Sequence, residues 1–171
     1  DRGAQRGQHG PRALELLARD HPRLDGGREL ADAAALIRAA DLVGQEPERF
    51  RAEVLDFLDR HPDAALRSCP PGHLTGSALV VDATGTRSLL MLHRKLGRWF
   101  QPGGHADGDT NLAGVALREA SEETGIADLR VAVPAIDLDV HLVVPPGEEP
   151  HLHLDLRFLV VAPAGARVEG N

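Results

Sequence analysis

The chain has 171 residues, of which 42% are hydrophobic and 26% are charged, and this is enough for one packed domain of ordinary size. Its formal net charge of −7 argues against a general nucleic-acid-binding surface. No apolar run approaches the length of about 18 residues that a membrane span needs, and the N-terminus lacks the apolar core of a secretory signal. We therefore expect a cytoplasmic protein without a membrane partner. Cys69 is the only cysteine, which excludes an intramolecular disulfide.

Residues 11 to 66 show the periodicity of helices. Two helices are expected around residues 11 to 19 and 28 to 43, with Gly44 as the residue that ends the second one. A third helix follows, because Pro47 suits a first turn and apolar residues then recur at the spacing of one helix face. These apolar residues are Phe50, Val54, Phe57 and Leu58. The sequence thus predicts a helical N-terminal extension over residues 1–68.

After residue 69 the pattern changes to strands and turns. The runs "LTGSALVVD" and "RSLLMLHR" flank the turn signal "ATGT", which predicts a hairpin. A second hairpin is predicted where "IDLDVHLVV" and "HLHLDLRFLVV" flank "PPGEEP". Together with one strong helix, these strands indicate an α+β domain with a mixed or antiparallel sheet over residues 69–171.

The strong helix is predicted over Leu112 to Thr124. Asp109, Thr110 or Asn111 can cap its start, and Gly125 can stand beyond its end. Its apolar stripe continues directly into three carboxylates at spacing i, i+3 and i+4, which share one helix face. These carboxylates belong to Glu119, Glu122 and Glu123.

Three neighbouring carboxylates repel one another, so a positive charge is needed to hold them together. Arg118 can reach Glu122, but one guanidinium cannot neutralise three acids, and hard oxygen ligands suit Mg²⁺ or Mn²⁺. The same spacing is also common on solvated helix faces. The glycine-rich loop "QPGGHADGD" just upstream favours the metal interpretation, because glycines let a backbone approach a ligand closely.

The run from Gly104 to Ile126 resembles the Nudix box, whose pattern is G-x5-E-x7-R-E-U-x-E-E-x-G-U, where U is a bulky aliphatic residue. The arginine, the three glutamates and the last glycine of the pattern all fall at the expected spacing. Two positions of this chain differ from the pattern. Ala120 is smaller than the usual aliphatic residue, and Thr110 replaces the first glutamate, which in the family helps to orient the arginine and the metal site. Asp109 or Asp107 could substitute for that glutamate.

The resemblance covers residues 73 to 171 and implies a Nudix fold, an α/β/α sandwich around a mixed sheet. It implies hydrolysis of a diphosphate bond in a nucleoside diphosphate derivative, with Mg²⁺ or Mn²⁺ as cofactor. It also implies that Arg118 orients a glutamate and that the metal ligands are the carbonyl of Gly103 and the carboxylates of Glu119, Glu122 and Glu123. Family members usually continue into another strand and helix. We expect these elements to be missing after Asn171, unless the helical extension replaces them.

Several alternatives stay open. The water that attacks a diphosphate needs a carboxylate to take its proton. The candidates are Glu119, Glu122, Glu148 and Glu149. A nucleotide-binding sensor that does not cleave its ligand is the alternative function; the intact glutamates favour catalysis, whereas Thr110 favours the sensor. The helical extension could pack on the domain, restrict substrates as a lid, or form a homodimer interface, which the sheet could also form.

The strands of the second hairpin carry polar residues on one face, D-x-D-x-H opposite H-x-H-x-D-x-R. We expect His141, His153 and Asp155 to contact substrate phosphates or an extra cation; a solvated sheet face and a separate zinc site are the other interpretations. Gly104 and His105 are expected to contact the substrate as well. Ahead of the box, cationic side chains could bind phosphate: His93, Arg94, Lys95 and Arg98. Trp99 either stacks on a nucleotide base or packs in the core.

Overall fold

The structure is a computed structural model that describes residues 27–94 and 97–168. The helix expected around residues 11 to 19 lies outside these ranges, as does Lys95. Three helices occur in the described part: α1 (Leu30–Ala39), α2 (Gln45–Arg60) and α3 (Leu112–Thr124). None of the helices in this part is long and apolar enough to cross a membrane.

The prediction that Gly44 ends a helix over residues 28 to 43 was wrong. Helix α1 stops at Ala39, and Ala40 already has ψ of 136°, which is outside the helical region. The cause is a tertiary contact, because the next backbone N–H, that of Asp41, donates to the carbonyl of Ala135 at 2.8 Å. Gly44, with φ of 111°, instead lies directly before the first residue of α2, where its positive φ turns the chain into the new helix.

The described residues contain seven strands. They are β1 (Gly72–Val81), β2 (Met91–His93), β3 (Arg98–Phe100), β4 (Gly103–His105), β5 (Arg130–Val131), β6 (Asp137–Val143) and β7 (His151–Val161). The main sheet has the order β4-β1-β7-β5, and β6 pairs with the same edge of β7 as β5 does. Strands β1 and β7 are parallel and the other pairs are antiparallel, so the sheet is mixed. Strands β2 and β3 form a separate ribbon.

The second predicted hairpin is confirmed as β6 and β7, with Asp137 opposite Arg157 and Val143 opposite His151. The first is confirmed only at its turn, where Val81 and Ser88 form an antiparallel bridge. Beyond this bridge the chain leaves β1, because β4 occupies the same edge of that strand. Strand β2 therefore pairs with β3 and not with β1.

One hydrophobic cluster joins the helices to one face of the sheet. Leu112 and Val115 of α3 are fully buried beneath β1, where a Cβ at Gly76 would lie 2.8 Å from the Leu112 carbonyl oxygen. At the other end, Val54 and Phe57 of α2 belong to the same cluster as the inward side chains of β7. Each fully buried side chain of this size contributes about 2 kcal/mol. A mixed sheet with packed helices, preceded by a helical segment, confirms the predicted α+β class.

On the opposite face of the sheet, a small hydrophobic cluster that includes Leu79, Leu159 and Val161 lies at one end, and polar side chains occupy the rest, which we call the polar face. Because side chains alternate along a strand, the residues of β1 that flank Gly76 point away from α3, and so do their neighbours on the adjoining strands. This polar face carries His73, Thr75, Ser77, His105, Asp137, Asp139, His141, His153, Asp155 and Arg157. The two faces therefore carry different chemistry, and strand β4 borders both.

Candidate active site

Helix α3 carries the glutamates of the Nudix-like run. Its start is capped by Asn111, whose side-chain oxygen accepts the N–H of Gly114 at 3.2 Å, so of the three predicted caps the structure has the last. Its end is closed by Gly125 in the left-handed conformation, with φ of 66°, as predicted. The helix is anchored by its buried apolar face, and its last turn presents the carboxylates beside strand β4.

Glu119 lies directly over Gly104. A Cβ built at Gly104 would lie 2.5 Å from both Cδ and Oε2 of Glu119, so only glycine leaves room for this carboxylate. Its neighbour in β4, Gly103, donates its backbone N–H to Oε2 of Glu123 at 3.2 Å. The glycine pair and the glutamates, which are 15 to 20 residues apart in the sequence, thus meet at one end of α3.

The carboxylates of α3 disfavour one another's charge. The pKa of Glu123 is raised, chiefly by desolvation and also by the charges of Glu119 and Glu122, although the N–H of Gly103 acts in the opposite direction. A bound cation would relieve this repulsion. Carboxylate and backbone carbonyl oxygens are the donors that Mg²⁺ and Mn²⁺ prefer, so the residues present fit the divalent cation that the Nudix box implies.

Arg118 lies between two acids. Its Nη2 is 3.2 Å from Oε1 of Glu119, and its Nη1 is 3.9 Å from Oδ2 of Asp109. Asp107 instead forms a bidentate pair with Arg67, at 2.6 and 2.8 Å, and this guanidinium lowers the pKa of Asp107. Of the two acids that could replace the missing box glutamate, Asp109 is the one beside the arginine.

Thr110, which stands where the pattern has glutamate, is buried with 2% exposure. Its backbone N–H donates to the carbonyl of Gly27 at 3.1 Å, and its hydroxyl has no hydrogen-bond partner among the described residues. A Cβ at Gly27 would lie 2.5 Å from that hydroxyl. The segment before α1 therefore covers Thr110, and the acidic side chain near Arg118 is that of Asp109.

The other predicted substrate-binding residues lie in two places. His105, His141, His153 and Asp155 belong to the polar face, on the side of the sheet away from α3. Asp155 is buried, and its two oxygens accept the hydroxyls of Thr75 and Ser77, which ties β7 to β1. Its contact with substrate remains a prediction, as do those of the histidines.

Arg94, Arg98 and Trp99 lie on or beside the β2–β3 ribbon and are exposed. Trp99 is 63% exposed, so the interpretation that places it in the core was wrong, whereas its stacking on a base remains a prediction. The reason is that β2 and β3 pair only with each other, which leaves their apolar side chains off the main core.

Sequence reasoning missed two residues of this region, Arg67 and His73. Arg67 and Asp107 are 40 residues apart in the sequence, and no local sequence pattern predicts such an ion pair. His73 could have been found, since it alternates with Thr75 and Ser77 and so extends a polar face on a strand that was predicted.

Comparison with known proteins agrees with this geometry. The profile of the NUDIX domain family matches residues 73–162, more than half of the chain. No curated protein shows significant sequence similarity to the chain. Among solved structures, the Ap4A hydrolase of C. elegans is 19% identical with a TM-score of 0.43, and the match covers 57% of this chain and 74% of that one.

A NUDIX family hydrolase from Clostridium perfringens is 22% identical with a TM-score of 0.44, covering 58% of this chain and 73% of the other. Sequence identities and TM-scores this low carry no information about the substrate of this chain. The family match includes strand β1 from His73 onward, the glycine pair and the whole of helix α3. Because this match covers more than half of the chain, the chain belongs to the Nudix hydrolase family.

Proposed function

We propose that this chain hydrolyses a diphosphate bond in a nucleoside diphosphate derivative, at a Mg²⁺ or Mn²⁺ site held by Glu119, Glu122 and Glu123. The observation that carries the proposal is the meeting of α3 with the glycine pair of β4. Glu119 lies over Gly104, and Glu123 accepts the N–H of Gly103. Carboxylates placed beside a backbone without side chains can hold a cation and a phosphate side by side.

The chain's own residues supply position and charge. A divalent cation, when bound, offsets the negative charge of the diphosphate and lowers the pKa of a coordinated water. Arg118 holds Glu119 through the contact at 3.2 Å, and Asp109 stands on the far side of the guanidinium. The carbonyl of Gly103 is a further proposed ligand. This arrangement keeps the acids close together before a substrate arrives, which is the preorganisation that charge stabilisation requires.

Substrate recognition is proposed for exposed groups outside the helix. Trp99 offers a ring for stacking on the base, and Arg94 and Arg98 offer positive charge for phosphate. Gly104 leaves the backbone of β4 bare beside the glutamates. His105 is proposed as a phosphate contact. His141, His153 and Asp155 are proposed to contact substrate phosphates or an extra cation, and the carboxylate of Asp155 already accepts two hydroxyls.

The experiment is a panel of nucleotide diphosphate derivatives assayed for release of phosphate or nucleoside monophosphate with Mg²⁺, Mn²⁺ or no metal. Glu122→Gln is the test variant, and Glu46→Gln, an exposed glutamate on α2, is the matched control. We expect release that requires metal, survives in the control and falls by at least about 100-fold in Glu122→Gln. This panel also ranks substrates.

The alternative function, a nucleotide sensor that does not cleave, rests on Thr110 in place of the box glutamate. The position of Asp109 beside Arg118 weakens that alternative, because a carboxylate still faces the guanidinium. Nucleotide binding by a folded protein that releases no product from any compound would favour the sensor and contradict the hydrolase.

The general base can be separated from the metal ligands by the same assay. Glutamine variants are needed at Glu119, Glu123, Glu148 and Glu149 in addition to Glu122. A variant of a ligand should recover part of its rate at high Mn²⁺, whereas a variant of the base should not, and its pH–rate profile should lose the acidic limb. Proposals of a cytoplasmic location and of a homodimer through the helical segment or the sheet remain predictions.

A further inference from the structure

Three imidazoles meet on the polar face of the sheet. His73 of β1, His105 of β4 and His153 of β7 place one ring nitrogen each within 4.8 Å of the others, and we refer to them as the histidine cluster. Their ring centroids are 4.9 to 5.1 Å apart. Strand pairing fixes their backbone positions and leaves the side chains free to adjust, because His73 and His153 are direct partners in the parallel β1–β7 ladder and His105 is opposite Thr75.

Two rings of the cluster hold buried nitrogens without a hydrogen-bond partner among the described residues. His73 is 2% exposed, and neither of its nitrogens has a hydrogen-bond partner among the described residues. Nε2 of His153 is likewise buried without one. An unsatisfied buried polar group costs about 1–3 kcal/mol, and native structures rarely keep several together. Because two of these nitrogens belong to His73, one ion can take one nitrogen of that ring together with Nε2 of His153, and His105 adds a third nitrogen within 4.8 Å.

Burial favours the neutral form of His73 and His153. Desolvation is the main cause that lowers the pKa of His73 to about 4 and that of His153 to about 3, and the neighbouring histidines lower both further. A neutral imidazole keeps a free lone pair, which is the form that binds metal.

We propose that the histidine cluster binds one divalent transition metal ion, of which Zn²⁺ is the prime candidate, separately from the carboxylate site on α3. Imidazole nitrogens select metals such as Zn²⁺, whereas carboxylates beside a diphosphate select Mg²⁺ or Mn²⁺. Tetrahedral Zn²⁺ with bonds of about 2.0–2.1 Å separates its ligands by about 3.3 Å, so the nitrogens need to close by about 1.5 Å at most.

Two further histidines border the cluster. The ring of His141 is 5.5 Å from that of His153, and its Nδ1 is 2.9 Å from a carboxylate oxygen of Asp139. A carboxylate that holds one ring nitrogen in this way leaves the other nitrogen available, an arrangement common for metal-bound histidine. His151 has the same arrangement, because its Nδ1 is 2.8 Å from the carbonyl oxygen of Glu149 and its ring is 4.9 Å from that of His73. Either histidine can therefore supply a fourth ligand.

A metal at this position would brace strand β4 from the side opposite the glutamates. His105 directly follows Gly104, and Gly104 lies under Glu119. The proposed ion would thus link β4 to β1 and β7 at the residue next to the glycine pair. It would act as a structural support of the carboxylate site, and its occupancy is independent of whether that site hydrolyses a diphosphate.

The other group with ligand spacing in the described part is His61, Asp63 and Cys69. It fits a metal less well, because burial raises the pKa of the Cys69 thiol to about 11 and so disfavours the thiolate that would bind. It must nevertheless be separated from the histidine cluster by experiment.

The test uses the full chain without a histidine tag, stripped with a chelator and titrated with Zn²⁺ by calorimetry and with Co²⁺ by visible absorption. We expect one tight equivalent and the absorption bands of tetrahedral Co²⁺. His105→Gln is the main variant, because His105 is only partly buried. It should weaken Zn²⁺ binding on the order of 100-fold or more. His153→Gln should do the same.

The matched controls are His93→Gln, at an exposed position on β2, and Glu122→Gln on α3. Both variants should bind Zn²⁺ with the affinity of the native protein. Loss of binding in Cys69→Ser with retention in His105→Gln would assign the metal to the other group and overturn the proposal. A native protein that is folded by circular dichroism yet binds neither Zn²⁺ nor Co²⁺ would overturn it as well.

Discussion

Glu119 and Gly104 are in such close contact that any side chain at residue 104 would displace the carboxylate. A Cβ there would lie 2.5 Å from the Glu119 carboxylate, which is the end of a flexible side chain and can move away. Gly104→Ala should therefore leave stability within about 1 kcal/mol of the native value but displace Glu119. A shift of about 1 Å in a catalytic group can cost about 100-fold in rate, so kcat/KM should fall by that order.

The control for this prediction is Gly85→Ala. Gly85 has φ of 66° and no atom within 4 Å of a built Cβ, so alanine there should cost about 1 kcal/mol through backbone strain and leave activity unchanged. Steady-state kinetics and urea unfolding of both variants distinguish the two effects. An unchanged rate in Gly104→Ala would show that the position of Glu119 does not matter for catalysis.

Restoring the family pattern should harm this protein. Thr110→Glu would place a longer, charged side chain in a buried position that Gly27 closes. We expect the free energy of unfolding to fall on the order of 2–4 kcal/mol, with no gain in rate, because Asp109 already faces Arg118.

Thr110→Val is the matched variant. It removes a hydroxyl that has no partner among the described residues and keeps the shape, so stability should stay the same or rise slightly. Chemical denaturation of both variants measures the difference. A faster enzyme of unchanged stability in Thr110→Glu would mean that the missing glutamate limits the rate.

Trp99 should act on substrate affinity and not on the chemical step. Stacking of a base on an aromatic ring contributes about 1–3 kcal/mol, so Trp99→Ala should raise KM roughly tenfold while kcat changes little. Leu92→Ala is the control, since Leu92 is the cross-strand partner of Trp99 and is also exposed. Equal KM values for the native protein and Trp99→Ala on the preferred substrate would remove Trp99 from the site.

The metal-free protein should lose stability as the pH falls from about 6.5 toward 4. Unfolded histidine has a pKa of about 6.5, whereas the pKa of His73 is about 4 and that of His153 about 3 in the fold, so the unfolded state binds more protons in this window. Stability is therefore fully present above about pH 7, and the loss by pH 4 is on the order of several kcal/mol. The groups that act on these two rings are His105, His141, His151, Arg67 and Asp107.

Urea unfolding at pH 7.5, 6 and 5 with a chelator present measures this slope. His153→Gln should flatten it, and His93→Gln, in an exposed position, should not. The same stability at pH 7.5 and pH 5 would show that the histidine cluster is not held neutral by the fold.

The features that could be predicted from the sequence are those fixed by interactions between residues close together in the chain. Helix α3, its C-terminal Gly125 and the shared face of the three glutamates follow from a period of 3.6 residues and from the conformational freedom of glycine. The β6–β7 hairpin follows from alternation around a turn. The Nudix-like spacing lies within a single stretch of the chain, and this is why the family and the grouping of the three glutamates on α3 could be inferred without a fold.

Contacts between distant parts of the chain were decided only by tertiary structure. The position of β4 on the edge of β1 sends β2 to another partner and leaves Trp99 exposed. Arg67, from the segment before β1, takes Asp107 and leaves Asp109 to face Arg118. The histidine cluster assembles from three strands whose order in the sheet differs from their order in the chain. A sequence states which side chains share a strand face, but the register and order of the strands, set by burial of the whole apolar face, determine which of those side chains meet.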